Sequence, residues 1–157
     1  MSNPELPHLK IIAPPPAMYI GALLLGLAMH AVSPLALFTT VHAHQIFGCL
    51  IFVVSGAFAR WSFLTMRRLG TSANPGIPSE ALVTDGPFRF SRNPIYVAMT
   101  GLYLGLDFMI NSVWPLILLV PLLLLMNWGV VRNEEFYLDE KFGETYKSYK
   151  SKVRRWL

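Results

Sequence analysis

The sequence predicts an all-α integral membrane protein: four transmembrane helices and a C-terminal amphipathic helical segment that covers a cytoplasmic site. Three observations lead there. Apolar residues make up 54% of the 157 and charged residues only 14%, where a soluble domain carries about 25% charged. Four apolar segments, at 19–38, 46–65, 95–110 and 113–131, approach the roughly 20 residues needed to cross a bilayer. The last apolar run, PLLLLMNWGVV, then passes directly into a polar, aromatic tail, RNEEFYLDEKFGETYKSYKSKVRRWL. So much lipid-embedded helix leaves little chain for a separate soluble unit. Residues 1–157 therefore read as one membrane domain, with 132–157 as its tail.

The first span follows Pro14, Pro15 and Pro16, which stiffen its approach and are expected to delay the helix start. Gly21 and Gly26 permit close helix approach, and Pro34 bends the outer end. The segment before this span lacks a concentrated positive charge and the apolar part is too long for a signal peptide, so it is expected to remain in the mature protein. His42 and His44 fall in a short outer loop that has no Asp, Glu or Cys, and His30 does not complete a ligand set. No metal site is expected. The second span ends in ARWSFLTMRRLG, which suits Arg60, Arg67, Arg68 and Trp61 to the headgroup boundary. Cys49, the single cysteine, rules out an intrachain disulfide and reads as a small buried hydrophobe.

Between the second and third spans, turn signals recur: Asn74-Pro75-Gly76, Pro78 and Asp85-Gly86-Pro87. This cytoplasmic connection is expected to lie against the membrane. Phe88 and Phe90 would insert their rings while Arg89 and Arg92 face water or a cofactor. Asn93-Pro94 is a helix boundary, since Asn caps free amides and Pro is tolerated at the first helical position. In the third helix Gly101 and Gly105 form a GxxxG pair suited to close packing. Asp107 and Asn111 mark the hairpin boundary. The connection to the fourth helix is so short that the two helices must run antiparallel. Asn93 and Tyr96 then come to the same face as Asn127 and Arg132, with Glu134 and Glu135 just beyond.

In the tail, Glu134 and Leu138 lie one helical turn apart, as do Glu135 and Asp139. Phe142 closes that segment, Gly143 stops or hinges the helix, and a second short helix can start near Glu144. Tyr146, Tyr149 and Val153 form an aromatic-apolar stripe among Lys147, Lys150, Lys152, Arg154 and Arg155. Such a helix lies on the membrane or covers the mouth of the hairpin. Read alone, this tail serves as well for an anchor. All 13 Lys and Arg fall on the side of both termini, and the opposite loops have none. That favours cytoplasmic termini. Basic residues beside spans attract anionic headgroups, so the net charge of +4 does not argue for nucleic acid.

Together, GPFRFSRNPIY (86–96) and EEFYLDEKFGETYKSY (134–149) resemble the isoprenylcysteine carboxyl methyltransferase and phospholipid methyltransferase superfamily, over about Thr84 to Leu157. The resemblance implies S-adenosylmethionine bound at the cytoplasmic end of the third and fourth helices. It implies Asn93 and Tyr96 lining the pocket, Glu134 and Glu135 facing it, and Phe142 and Tyr146 covering it. Arg92 would pair with the cofactor's carboxylate, or face a phosphate or stabilise its loop, and Arg132 would lie near the transferred methyl. Arg132 and Glu135 are thus the catalytic candidates. Asn93 stands where the eukaryotic enzymes have His, so it lacks the acid and base forms of imidazole. Ala98 occupies a position that is often glycine. Small bacterial members resemble this chain, which implies an inner-membrane location.

The acceptor implied is a membrane lipid or other hydrophobic molecule bearing a carboxylate, thiol or amine. An activated sulfonium donor mainly requires alignment and desolvation, whereas a protonated amine acceptor must first lose a proton. A Gly-rich dinucleotide motif is absent, which excludes the usual soluble methyltransferase architecture. Two alternatives remain open: an NADPH-dependent membrane reductase related to sterol reductases, and a non-catalytic lipid-binding or assembly protein. Glycine-rich faces pack within or between chains, so oligomeric state is left unassigned.

Overall fold

A computed structural model of the chain describes residues 13–39, 42–71 and 81–157. Lys10, the Asn74-Pro75-Gly76 turn and Pro78 lie outside the described residues. Those described are helical, with no strand among them: α1 (Pro15–Val32), α2 (Ala43–Arg68), a 3₁₀ turn (Gly86–Arg89), α3 (Pro94–Ile110), α4 (Val113–Met126), a π-helical turn (Asn127–Val131) and α5 (Arg132–Lys152). α1, α2 and the helix that starts at Val113 are long and apolar enough to cross a membrane, and the 17-residue α3 is a shorter apolar helix. Leu24, Leu25, Leu50, Val53, Val54, Val120, Leu124 and Leu125 point out of the bundle. An outward apolar face of this kind is stable in lipid and costly in water.

The prolines do not delay α1. Pro15 occupies its first turn, where the missing N–H would have had no helical partner anyway. The helix stops at Val32, and the segment after it runs without regular structure through Phe38. Asn111 ties down that segment. Its side chain accepts from the amides of Leu37 and Phe38 and donates to the Phe38 carbonyl. Asn111 also ends α3 in the left-handed region, at φ 62°, a conformation Asn tolerates better than most residues. Ser112 then caps α4 by accepting from the Trp114 amide at 3.3 Å.

Within the bundle α3 packs mainly on α2, and α4 mainly on α1. The first contact is set by glycine. A Cβ at Gly48 would sit 2.7 Å from the Gly105 carbonyl oxygen, and one at Gly105 would sit 2.8 Å from the Phe52 amide nitrogen. Gly101 faces the Ser55 hydroxyl. On the other side Gly26 gives room to Pro115. The core between these pairs comprises Tyr19, Tyr96, Tyr103, Leu119, Leu122, Met126, Val130 and Val131. Its hydroxyls are satisfied: Tyr19 pairs with Thr100 at 2.8 Å, and Tyr103 donates to the Pro115 carbonyl at 2.8 Å.

Some expectations change. His44 lies in the first turn of α2 rather than a loop, buried and stacked on Phe38. Cys49 faces out of the bundle, because the buried stripe of α2 runs through Gly48 instead. Phe88 is buried beneath the tail, and only Phe90 presents its ring outward. Asp107 is wholly buried one turn before the end of α3, with neither carboxylate oxygen hydrogen-bonded.

Gly105→Leu must push α2 off α3 and is expected to cost about 1–3 kcal/mol. Gly21→Leu, with nothing within 4 Å of its Cβ position, should stay within about 0.5 kcal/mol of the parent. Thermal unfolding in detergent micelles measures both.

Candidate active site

At the end of the bundle where α4 passes into α5, the residues on either side of the α3–α4 hairpin meet. The loop before α3 supplies Ser91, Arg92 and Asn93. The first turn of α3 supplies Tyr96, and the first turn of α5 supplies Glu134 and Glu135. The Tyr96 hydroxyl donates to Glu134 Oε1 at 2.6 Å. Arg92 Nη2 lies 3.1 Å from Glu135 Oε1. Only two residues connect α3 to α4, so their far ends are forced together, and the side chains above close the near ends.

Glu135 is buried, its side chain 9% exposed, and bridges two guanidiniums. Besides Arg92 it holds Arg155, whose Nε and Nη2 bond its two oxygens at 3.0 and 2.6 Å. A forked pair of this kind fixes orientation as well as charge. Arg155 also donates from Nη1 to Asn127 Oδ1 at 2.9 Å, and Asn127 opens the π-helical turn. Arg155 comes from the segment after α5. α5 is broken at Gly143, where φ is 51° and ψ −124°, a combination essentially confined to glycine. Tyr146 and Tyr149 of its second half are buried, and Tyr149 donates to the Phe88 carbonyl at 2.6 Å.

The terminal segment is stitched to the loop before α3. The Arg92 amide donates to the Arg154 carbonyl at 2.9 Å, and the Arg155 carbonyl accepts from Ser91 Oγ and Asn93 Nδ2. Asn93 stands at the N-cap of α3 but makes no side-chain cap; its amide is spent on the tail. Arg92 keeps two buried donors, Nε and Nη1, without a hydrogen-bond partner. Its side chain is only 10% exposed.

Burial raises the proton affinity of Glu134 to a pKa of about 7. The Tyr96 hydrogen bond opposes that shift, and the neighbouring Glu135 adds to it. Burial, followed by the Glu135 charge, likewise pushes Tyr146 up to about 12, with Arg92 pulling the other way. The Arg155 guanidinium is held more firmly protonated by its bond to Glu135.

Arg92, Asn93, Tyr96, Glu134, Glu135 and Tyr146 are therefore gathered at this end of the bundle. Arg132 and Phe142 are placed differently. Arg132 is exposed, with its guanidinium 5.2 Å from the Trp128 ring centroid, and forms an outward stripe with Trp128 and Phe136. Phe142 is half-buried beside Lys141. Sequence reasoning missed Arg155 and Ser91 as members of the site. A signal for the first existed: a carboxylate buried at the mouth of an apolar bundle demands cations, and the tail ends in an arginine pair.

Glu135→Gln leaves two guanidiniums without their counterion and should cost about 3–5 kcal/mol. Glu134→Gln keeps an acceptor for Tyr96 and should cost about 1 kcal/mol. The two also differ with pH. The raised pKa of Glu134 contributes stability that is complete below the ordinary value of 4.5 and is lost as pH rises through about 7. The Tm of the parent relative to Glu134→Gln should therefore fall between pH 5 and pH 8.

Comparison with known proteins places this geometry. Over 35 residues the chain is 51% identical to an uncharacterized protein of Haemophilus influenzae, a stretch that covers 22% of this chain and 56% of that protein. The chain thus spans little more than half the length of that relative. The family profile for phospholipid methyltransferases matches residues 43–145, well over half of the chain and the whole path from α2 to the first residues after Gly143. With apolar helices long enough to cross a membrane and polar groups converging at one end, the protein belongs to the phospholipid methyltransferase family, whose chemistry is methyl transfer at membranes.

Proposed function

We propose that this protein transfers a methyl group from S-adenosylmethionine to a lipidic or other hydrophobic acceptor at the cytoplasmic membrane surface. The chain would act as a single membrane methyltransferase domain. Its four apolar helices all span, both termini are cytoplasmic, and the bilayer is a bacterial inner membrane. The observation that carries the reading is the convergence of Arg92, Tyr96, Glu134 and Glu135 at one end of a bundle of long apolar helices in a chain of this family.

The residues present fit that cofactor. Arg92 has two buried donors to spare for its carboxylate. Glu134, with Tyr96, offers a carboxylate to its ammonium or ribose. Asn93 lines the pocket, and Tyr146 excludes water from above. When bound, the cofactor supplies an electrophilic methyl on sulfonium. The protein then has to align and desolvate the acceptor. Arg132 shares an exposed stripe with Trp128 and Phe136, within reach of the headgroup layer, and holds an anionic acceptor there. Glu135 acts by fixing Arg92. For an amine acceptor, Glu134 takes the proton at a carboxyl whose pKa lies near neutrality.

Incubation with methyl-labelled S-adenosylmethionine and fractionated lipids should place label in the lipid phase. Label confined to water-soluble acceptors would reject lateral access from the membrane. Binding of NADPH in place of S-adenosylmethionine would favour a reductase. Arg132→Ala should lower turnover at least tenfold and leave cofactor binding unchanged. Glu134→Gln should weaken cofactor binding about tenfold at pH 8 but little at pH 5, since only the ionised carboxylate attracts a cationic ligand.

A further inference from the structure

Three charged groups of the site form a chain of command: Arg155 grips both oxygens of Glu135, and Glu135 grips Nη2 of Arg92. Two guanidiniums on one carboxylate leave an excess of one positive charge. Arg92 carries that excess inward. Its side chain is nine-tenths buried, Nε and Nη1 have no hydrogen-bond partner, and the Tyr146 hydroxyl interacts with the same guanidinium. Buried donors are nearly always satisfied in native proteins, so a cationic pair left open marks a seat for an anionic group.

Arg155 is not itself free to bind that group, because all three of its nitrogens are engaged: Nε and Nη2 by Glu135 and Nη1 by Asn127. Its backbone is fixed as firmly. The carbonyl of Arg155 accepts from Ser91 and Asn93, and the neighbouring Arg154 carbonyl accepts from the amide of Arg92. Trp156 packs against the core. The terminal segment is thus bound to the residues that flank and include Arg92, and it reaches Arg92 a second time through Glu135.

We propose that Arg155 is a positioning residue for the carboxylate end of the cofactor. Acting through Glu135, it holds Arg92 with Nε and Nη1 presented to an anion and leaves the rest of the ligand to other residues. This rests on the cofactor reading above. It makes a demand that a purely structural Arg155 would not: its effect should be confined to ligands that carry the carboxylate, and should vanish once Arg92 is gone.

The test compares S-adenosylmethionine with its decarboxylated analogue by calorimetry on the full chain in detergent micelles. The parent should bind the carboxylate form at least tenfold tighter. Arg155→Gln should cut that preference to about twofold, chiefly by weakening S-adenosylmethionine, while the analogue binds as before. Arg155→Lys, which keeps the charge but loses the fork, should be intermediate and serves if Arg155→Gln does not fold. Adding Arg155→Gln to Arg92→Gln should produce no further loss. Equal weakening of both ligands, unchanged binding of both, or no carboxylate preference in the parent would each overturn the assignment. If the parent binds neither ligand, the cofactor reading falls and this inference with it. If it binds both, that reading stands whatever Arg155 does.

Discussion

One buried carboxylate organises the polar end of this molecule. Glu135 lies at the point where the last apolar helix leaves the bundle, and it draws in one cation from the loop before α3 and another from the terminal segment. Each partner also contacts the other's neighbourhood through backbone hydrogen bonds. A charge at such depth would be expensive alone. Paired twice and fixed by a forked contact, it joins three distant stretches of sequence. The aromatic residues of the tail then close over the assembly. The apolar part of the fold needs no such device: glycine contacts between α2 and α3, and between α1 and α4, hold it by close approach.

The meeting of Tyr96 with Glu134 was legible because it follows from connectivity. A two-residue link between apolar helices leaves them only one way to run, and residues just outside both helices must then be neighbours. The close approach at Gly101 and Gly105 was legible for the same kind of reason, since small residues four apart make one face. The all-helical, apolar character came directly from composition and run length.

What was hidden depends on departures from regular helix. The π-helical turn at Asn127–Val131 shifts the faces that follow relative to an unbroken α-helix. Beyond it Arg132 is exposed while Glu135 is buried. Which of several tail cations would be buried depended on the break at Gly143 and on the extended residue Val153; no periodicity marks Arg155 among its neighbours. Asn93 looked like a helix cap by residue type. Its amide instead meets a carbonyl 62 residues away, a contact set by the tertiary path.

The outward stripe of Trp128, Arg132 and Phe136 has a mechanical corollary. An indole, a guanidinium and a phenyl ring along one side of a helix act as a float, settling where hydrocarbon gives way to phosphate. On that same rod Glu134 lies across from the stripe, and Glu135 turns into the bundle. The level of the stripe and the level of the buried carboxylates are therefore two readings from a single ruler. A rigid helix that carries both the interfacial stripe and the polar cluster ties the level of one to the level of the other.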